Sequence, residues 1–456
     1  MAGVMESHRS EAVCLRDIVS FLLRERLFAS AEIVGSFFLC TTSLPSHPAE
    51  LRFSLHADAL SMYADALKGK GEHKRASMYY KQAVQHRKLA KGILVEGDQP
   101  ETLTAKISTP GNPCVREISG TAHMSNPPSV STVNLTESQA SKEGIRSGAW
   151  RRGGVEAWRL VFPPDLFDVQ VEYLPLAELK FKEAQCLITG GDTGAAISSL
   201  EAILPYARTA EMSITLAQTY RNSNLKRNAC SVYKRALREN PLVVEAIVPL
   251  LEMGMTAKEV VKILEDKLPT CPLGVSLSDL PWLTLFVDGH AFSCNSRPKD
   301  ALEQFLRIEN LYSANLMALL QVGKAYMDLD LWDEAYTAFR KARLADEMNM
   351  DLMDCYGIVM RQKSMPGGLN RLSHELLSVN PGRPETWVVA ALYSEVRGDR
   401  DRAVKFVDKA LELRPQHALA HILKGSLVLA GGDVQAAHVS FQQANTIRKD
   451  IHSFKG

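Results

Sequence analysis

The chain contains 456 residues, of which 46% are hydrophobic and 23% are charged, a composition typical of a soluble folded protein. Its 53 lysines and arginines balance 52 aspartates and glutamates, and the net charge of +1 excludes the basic excess of a dedicated nucleic-acid binder. The eight cysteines are scattered without a CxxC pair, so we expect reduced thiols and no zinc site.

The first predicted elements are helices within residues 12–90. The segment "HADALSMYADALKGKGEHKRASMYYKQAV", which begins at His56, places alanines and tyrosines at spacings that recur later in the chain, and Ala31 marks a weaker unit before it. The longest apolar run, "EIVGSFFLC", is far shorter than the roughly 18 residues of a membrane span. The N-terminus has charges on both sides of a short apolar run, unlike a signal peptide. We expect a protein of the cytoplasm or nucleus without a membrane partner.

Residues 91–172 form a second region that breaks the helical pattern. The region is rich in Ser, Thr, Gly and Pro, as in "ISTPGNPCVREISG", and offers too few apolar side chains to offset the entropy of ordering. We predict a long disordered insertion. The segment Trp150 to Pro164 is more apolar, and the sequence leaves two interpretations open: packing against the next repeat, or a short partner-binding motif.

Residues 173–281 return to helical pairs with a looser spacing. Ala184, Gly191, Asp192 and Ala196 occupy one frame, and the segment "AEMSITLAQTYRNSNLKRNACSVYKRALRENP" supplies a second. Residues 244–281, beginning "VEAIVPLLEMGMTAKEVVKIL", read as a diverged helix pair.

Residues 282–451 contain five units in one register. Gly357 and Gly425 are 68 residues apart, which is twice a period of 34, and the units begin near Trp282, Leu316, Met350, Pro384 and Ala418. The third unit matches least well. The residues predicted to pack one helix on another are Gly289, Gly323, Gly357 and Gly425 at position 8, Ala301, Ala335, Ala403 and Ala437 at position 20, Phe305, Phe339 and Phe441 at position 24, and Ala342, Ala410 and Ala444 at position 27.

The period predicts the fold. A 34-residue unit with small residues at these positions is typical of the tetratricopeptide repeat, in which two antiparallel helices meet where their side chains are small. Large residues fill the remaining space, and a proline near position 32 ends the second helix. We predict an all-α, right-handed superhelical tetratricopeptide-repeat solenoid.

The concave groove of such a solenoid is lined mainly by first helices and suits an extended peptide or a helix. Four charged residues are candidates for this groove: Lys324, Asp354, Arg361 and Glu395. Lys324 and Arg361 have the charge to pair with a peptide carboxylate, although solvation or subunit contact explains each residue as well.

The sequence carries no catalytic constellation. We find no P-loop, no GxSxG motif and no HExxH motif, and the twelve histidines are dispersed. We therefore expect a protein that is not an enzyme and that uses no cofactor or metal.

Several segments go beyond a generic repeat. "MDCYG" at Met353–Gly357, "PETWV" at Pro384–Val388 and "LKG" at Leu423–Gly425 stand in successive units. Together with "YKRALRENPLVVEAI" and the insertion after the second unit, they resemble the family of subunit 7 of the anaphase-promoting complex, or cyclosome. The resemblance covers most of residues 12–451. Family members continue with further repeats where this chain ends in "RKDIHSFKG", so we expect a C-terminally shorter form.

The resemblance implies a function without catalysis. Members of this family are scaffold subunits of a RING-type ubiquitin ligase that marks cell-cycle regulators for proteolysis. They form homodimers through N-terminal repeats, which here are residues 12–90, and contact the other tetratricopeptide subunits through the solenoid. The expected partners are these subunits, a second copy of the chain, and coactivator or substrate peptides, in the nucleus and cytoplasm.

Two other classes of protein fit the sequence less well. An unrelated tetratricopeptide adaptor, such as a cochaperone, would hold acidic peptides with a basic clamp, and here Asp354 and Glu395 offset Lys324 and Arg361. A repeat protein linked to a kinase or glycosyltransferase needs a catalytic domain, and no segment is long and non-repetitive enough to contain one.

Overall fold

The structure is a computed structural model that describes residues 2–43, 49–90 and 176–447, with side chains described within 11–42, 55–87 and 177–447. The described residues belong to one compact unit, Met1–Val95 together with Pro175–Gly456. The predicted disordered insertion at 91–172, including Trp150 to Pro164, lies outside the described residues.

The described residues form twenty α-helices and no β-strand. The helices are α1 (Ala2–Arg24), α2 (Phe28–Ser43), α3 (Ala49–Gly69), α4 (His73–Ala90), α5 (Leu176–Thr189), α6 (Thr193–Glu201), α7 (Ala210–Asn222), α8 (Lys226–Glu239), α9 (Ile247–Glu252), α10 (Ala257–Lys267), α11 (Pro281–Cys294), α12 (Pro298–Leu311), α13 (Leu316–Asp328), α14 (Trp332–Ala345), α15 (Met353–Gln362), α16 (Pro366–Val379), α17 (Pro384–Val396), α18 (Arg400–Leu413), α19 (Ala418–Ala430) and α20 (Val434–Ile447).

Consecutive helices pair, apart from α9 and α10, which each pack mainly on α8 and α11, and consecutive pairs stack. From α5 onwards, each second helix packs on the first helix of the next pair. The diverged pair has a short first helix, α9, which follows a 3-10 turn at Val244–Ala246. The prediction of an all-α tetratricopeptide-repeat solenoid is confirmed.

The turn inside every described pair contains one residue in the left-handed backbone region. In five pairs this residue is glycine, as at Gly398, where φ is 79°. In the other five it is an L-residue with φ between 52° and 62°: Arg26, Asn224, Ser296, Asp330 and Ser364. The geometry of the turn is therefore shared by all pairs, while its sequence signal is present in only half of them.

The position-8 glycines lie against aromatic rings. A Cβ added to Gly289 would approach the ring of Phe305 to 2.8 Å, and one added to Gly425 would approach Phe441 to the same distance. The corresponding distance from Gly323 to Phe339 is 3.0 Å. In these pairs the missing side chain on the first helix creates the space that the phenylalanine of the second helix fills.

The third unit packs differently. A Cβ on Gly357 would meet Leu392 at 3.0 Å and Val389 at 3.1 Å, both on α17 of the next pair. The residue sixteen positions after Gly357 is Ser373, which cannot replace the phenylalanine. Leu352, with a φ of 57°, delays the start of α15 to Met353, three residues after the predicted start of the unit.

The small residues at positions 20 and 27 lie between helices. All of them are almost completely buried: Ala301, Ala335, Ala342, Ala403, Ala410, Ala437 and Ala444. The domain boundaries at residues 90, 172, 281 and 451 remain predictions.

Candidate functional site

Helices α1 to α4 dock against the later pairs of the solenoid. The ring of Phe37 on α2 stacks on Trp282 of α11 with centroids 4.1 Å apart and meets the edge of Tyr312 at 5.1 Å. The amide of Asn315, which caps α13, donates a hydrogen bond to Ser36 Oγ at 3.2 Å. Apolar residues of α1 and α2 therefore belong to the same core as pairs α5–α6 to α13–α14. We call this surface the N-terminal docking interface.

A buried cluster of ion pairs around Arg75 forms a second part of the N-terminal docking interface. Arg75 on α4 has 2% of its side chain exposed and contacts Asp346, which follows α14 and is fully buried. Its guanidinium also donates to Glu32 at 2.8 Å, to Glu72 at 2.9 Å and to Tyr63 at 2.9 Å. Burial opposes a charge here, but the surrounding carboxylates raise the pKa of Arg75, so it remains a cation.

Tyr79 and Glu245 complete the N-terminal docking interface. Tyr79 donates a hydrogen bond to Asp346 at 3.1 Å, and burial raises the pKa of the tyrosine. The backbone N–H of Glu245 donates to Ser30 Oγ at 3.2 Å, and burial raises the pKa of the Glu245 carboxyl to about 7. Both contacts connect the first four helices to residues more than 200 positions later in the chain.

The N-terminal helices do not continue the stack. Among the described helices, α4 lacks the extensive packing on α5 that every later second helix makes on its successor. The sequence frame does not mark Arg75 or Asp346, because neither occupies a small or aromatic slot of the repeat. Asp346 follows α14 at the position where two other strict units have Asn380 and Arg414. Because this position has no fixed residue type, the sequence does not predict that Asp346 contacts Arg75.

The four predicted groove residues lie in two places. Arg361 forms an ion pair with Glu395 at 3.0 Å, across one repeat period. Lys324 and Asp354 are buried side chains that line the same cavity. The structure therefore joins Arg361 to Glu395 and places Lys324 and Asp354 on the wall of one cavity, and all four residues lie on first helices.

Asp354 is held by a histidine from two pairs later. His417 caps α19 by accepting the N–H of Ala420 at Nδ1, at 3.1 Å, which directs Nε2 towards Asp354 Oδ2 at 3.4 Å. Asp354 also accepts the N–H of Cys355 at 2.9 Å. Burial works against the charge, but the contact with His417 keeps the pKa of Asp354 below its ordinary value.

The solenoid contacts itself after six pairs. Gln416, before α19, donates to the carbonyl oxygen of Asn222 at 2.6 Å, and Lys226 of α8 donates to the carbonyl oxygen of Thr446 at 3.1 Å. These contacts border a half-open space of about 1280 Å³ that we call the inner cavity. Its lining includes His417 and eight acidic or basic residues: Arg221, Lys226, Arg227, Glu252, Lys324, Asp354, Glu385 and Arg414.

A smaller pocket adjoins the inner cavity. It has a volume of about 70 Å³, shares Met327 and Leu419 with the inner cavity, and carries Arg361 on its wall. The remaining lining is mostly aliphatic and comes from α15, α17 and α19: Ile358, Val388, Leu392, Ile422, Leu423 and Ser426. We call it the apolar pocket.

Within residues 11–42, 55–87 and 177–447, no three His, Cys, Asp or Glu side chains are placed to hold a metal ion. No helix of the described segments is long and apolar enough to cross a membrane. What the geometry offers is a helical docking interface and a partly charged cavity.

Paired helices in a 34-residue frame define the protein as a tetratricopeptide-repeat solenoid. No family model matches the chain. Anaphase-promoting complex subunit 7 of Arabidopsis thaliana is 28% identical over 448 residues, which are 97% of this chain and 68% of that protein. The subunit 7 of Dictyostelium discoideum is 28% identical over 63% of this chain and 50% of its own length. The resemblance to subunit 7 of the anaphase-promoting complex is confirmed.

The chain spans 68% of the plant relative and half of the Dictyostelium relative. Among solved structures, the hetero-tetramer Cut9–Hcn1 of the anaphase-promoting complex aligns with 59% of this chain and 53% of its own, at 19% identity and a TM-score of 0.45.

Proposed function

We propose that the chain is a non-catalytic scaffold subunit of the anaphase-promoting complex, a RING-type ubiquitin ligase that directs cell-cycle regulators to proteolysis. The observation that carries the proposal is the similarity to subunit 7 over 97% of the chain. The repeat array is consistent with it, because stacked helix pairs present long surfaces to neighbouring subunits. In this function, formation of the ubiquitin chain belongs to other subunits.

The proposal includes a homodimer formed through residues 12–90. The N-terminal docking interface supports it, since its buried aromatic and charged contacts join α1–α4 to pairs far along the chain instead of to α5. The same contacts can be made to the solenoid of a second copy, with each copy receiving the first four helices of its partner.

Affinity purification tests the subunit proposal. The chain is tagged and isolated from cells of its source organism, and co-purifying proteins are quantified by mass spectrometry against untagged cells. We expect other tetratricopeptide subunits of the complex, together with its catalytic subunits, to be enriched. Recovery of the chain without any of them would contradict the proposal. Imaging of the same tagged chain should place it in the nucleus and the cytoplasm.

A second candidate function is a peptide-binding adaptor that acts outside the complex. The inner cavity favours it, because the cavity is large and its lining has five basic side chains and three carboxylates. The purification separates the two functions, since an adaptor would be recovered with peptide-bearing partners and without subunits of the ligase.

A further inference from the structure

The connection between α14 and α15 differs from those between the other strict repeats. It spans the seven residues 346–352, whereas the connections 312–315, 380–383 and 414–417 contain four residues each. Leu352, at its end, has a left-handed backbone, and the pair that follows lacks the glycine–phenylalanine contact of three other strict units. Among the boundaries between strict repeats, the solenoid is therefore packed least tightly here.

Buried apolar side chains form two large clusters that meet in the pair α13–α14. Ala318 and Val322 of α13 belong to the first cluster, which extends from α1 to α14. Leu319 and Leu320 of the same helix belong to the second cluster, which extends to α19. The long connection directly follows this pair, so it joins two bodies with largely separate cores. We call the described residues before 346 the first body and residues 353–447 the second body.

Helices α1 and α2 are fixed to the later helices of the first body. The ring of Phe37 on α2 stacks on Trp282 of α11, and Ser36 Oγ accepts a hydrogen bond from the side chain of Asn315 at the start of α13. Buried residues of both helices belong to the first cluster. All of these contacts precede the long connection in the solenoid.

Helix α4 reaches the long connection and the second body. Arg75 and Tyr79 both contact Asp346, which is the first residue of the connection and is buried. Lys74 Nζ donates a hydrogen bond to the carbonyl oxygen of Ser378 at the end of α16. Because α3 packs on α2 and α4 packs on α3, the first four helices connect the two bodies across the joint between α14 and α15.

The two bodies also touch at the inner cavity. Gln416 of the second body donates to the carbonyl oxygen of Asn222 in the first, and Lys226 of the first donates to the carbonyl oxygen of Thr446 in the second. Both hydrogen bonds are exposed, and water can replace an exposed hydrogen bond at little cost in free energy. The width of the half-open inner cavity therefore depends mainly on the angle between the bodies at the long connection.

We propose that α1–α4 are a brace that sets the angle between the first and second bodies and, with it, the width of the inner cavity. When the four helices leave the N-terminal docking interface, the second body turns on the long connection and the cavity widens. The four helices act in this way whether they belong to the same chain or to a second copy, because the contacts are the same. The inference does not require membership of the ligase complex.

Fluorescence energy transfer within one chain tests the proposal. Donor and acceptor are attached through unnatural amino acids at the exposed positions Ser231 of α8 and Gln443 of α20, so that the native cysteines stay unlabelled. Labelled chains are mixed with an excess of unlabelled chains of the same sequence, so that each distance joins the two bodies of one chain. Neither α8 nor α20 packs extensively on α4, so a changed distance reports the angle between the bodies.

Arg75→Gln removes the main contact of the brace with the long connection. The buried Asp346 then loses its cation, and docking of α1–α4 becomes less favourable. We expect a longer and broader distribution of distances between α8 and α20 than in the wild-type chain, with unchanged helix content by circular dichroism. Arg307→Gln, the control, removes an exposed ion pair with Glu303 on α12 and should leave the distance unchanged.

Two further variants make the test decisive. Tyr79→Phe covers the case in which Arg75→Gln does not fold, since it removes only a hydroxyl that donates to Asp346 and should lengthen the distance by a smaller amount. Gln416→Ala removes a contact between the bodies and leaves the brace intact, so its shift should be smaller than that of Arg75→Gln.

Two results would overturn the proposal. One is an unchanged distance in folded Arg75→Gln, or in Tyr79→Phe if only that variant folds. The other is a shift in Gln416→Ala as large as that in Arg75→Gln, since the contact with Asn222 would then set the width of the cavity. Either result leaves the affinity purification of the ligase complex untouched.

Discussion

Glycine and phenylalanine form complementary pairs in three of the strict repeats. The pairs differ in how freely the aromatic ring can move, because Phe305 is fully buried whereas Phe441 is partly exposed. The same glycine position therefore has a different tolerance for a side chain in different repeats.

Gly289→Ala should destabilise the protein by about 1–3 kcal/mol. The new Cβ would lie 2.8 Å from the Phe305 ring, which is enclosed and cannot turn away. Gly425→Ala is the matched control with the same 2.8 Å approach, and its cost should be smaller because Phe441 can move towards solvent. Thermal unfolding of both variants measures the difference, and equal destabilisation would contradict this reasoning.

Glu245 should make stability depend on pH. Burial raises the pKa of its carboxyl from 4.5 to about 7, so the folded protein keeps a proton that the unfolded chain loses. The free energy of unfolding contains this contribution in full below about pH 4.5. It decreases by up to roughly 3 kcal/mol as the pH rises through 7.

Glu245→Gln tests this dependence. The amide is neutral at every pH, so the melting temperature of the variant should fall less than that of the wild-type chain between pH 5.5 and pH 8. Parallel pH profiles of the two proteins would show that Glu245 ionises normally in the folded state.

Individual helix pairs could be predicted well because their determinants recur. Ala301, Ala335 and Ala403 stand at fixed distances, and this periodicity identifies both helices and the turn between them. The delayed start of α15 could not be predicted, because the left-handed conformation of Leu352 has no signal in a leucine. Ser296 and Ser364 adopt the same left-handed conformation as the turn glycines, and a serine gives no sequence signal for it either.

Gly398→Ala should destabilise the turn between α17 and α18 by about 1–2 kcal/mol. A Cβ at this position would meet nothing within 4 Å, so the cost arises only from the φ of 79°. Gly367→Ala is the control, since it also has open space and lies inside α16, where alanine favours the helix. The two variants should shift the melting temperature in opposite directions, and a shift of the same sign would contradict the argument.

At the scale of the whole molecule, the important contacts are not periodic. The N-terminal docking interface joins Arg75 to Asp346, and the contact of Gln416 with Asn222 borders the inner cavity. A repeat frame describes neighbours in the stack and carries no information about pairs that are hundreds of residues apart. For the same reason the sequence identified Lys324 and Arg361 as groove residues without showing that they line different cavities.

Arg75→Gln should disrupt the N-terminal docking interface. Its loss leaves the buried Asp346 without its cation, a change that costs about 3–5 kcal/mol in comparable pairs. If residues 12–90 mediate the dimer, light scattering should show a dimeric wild-type chain and a variant that dissociates to monomers at low concentration. Arg307→Gln removes an exposed pair with Glu303 and should leave the mass unchanged. A wild-type chain that is monomeric at all concentrations would contradict the dimer.

The central claim is that this solenoid is a dimeric scaffold subunit of the anaphase-promoting complex. The most direct measurement isolates the complex through a different subunit and counts this chain by quantitative mass spectrometry. The proposal predicts that the chain is present at twice the molar amount of a single-copy catalytic subunit. Its absence from a complex with full ubiquitin-ligase activity would contradict the claim.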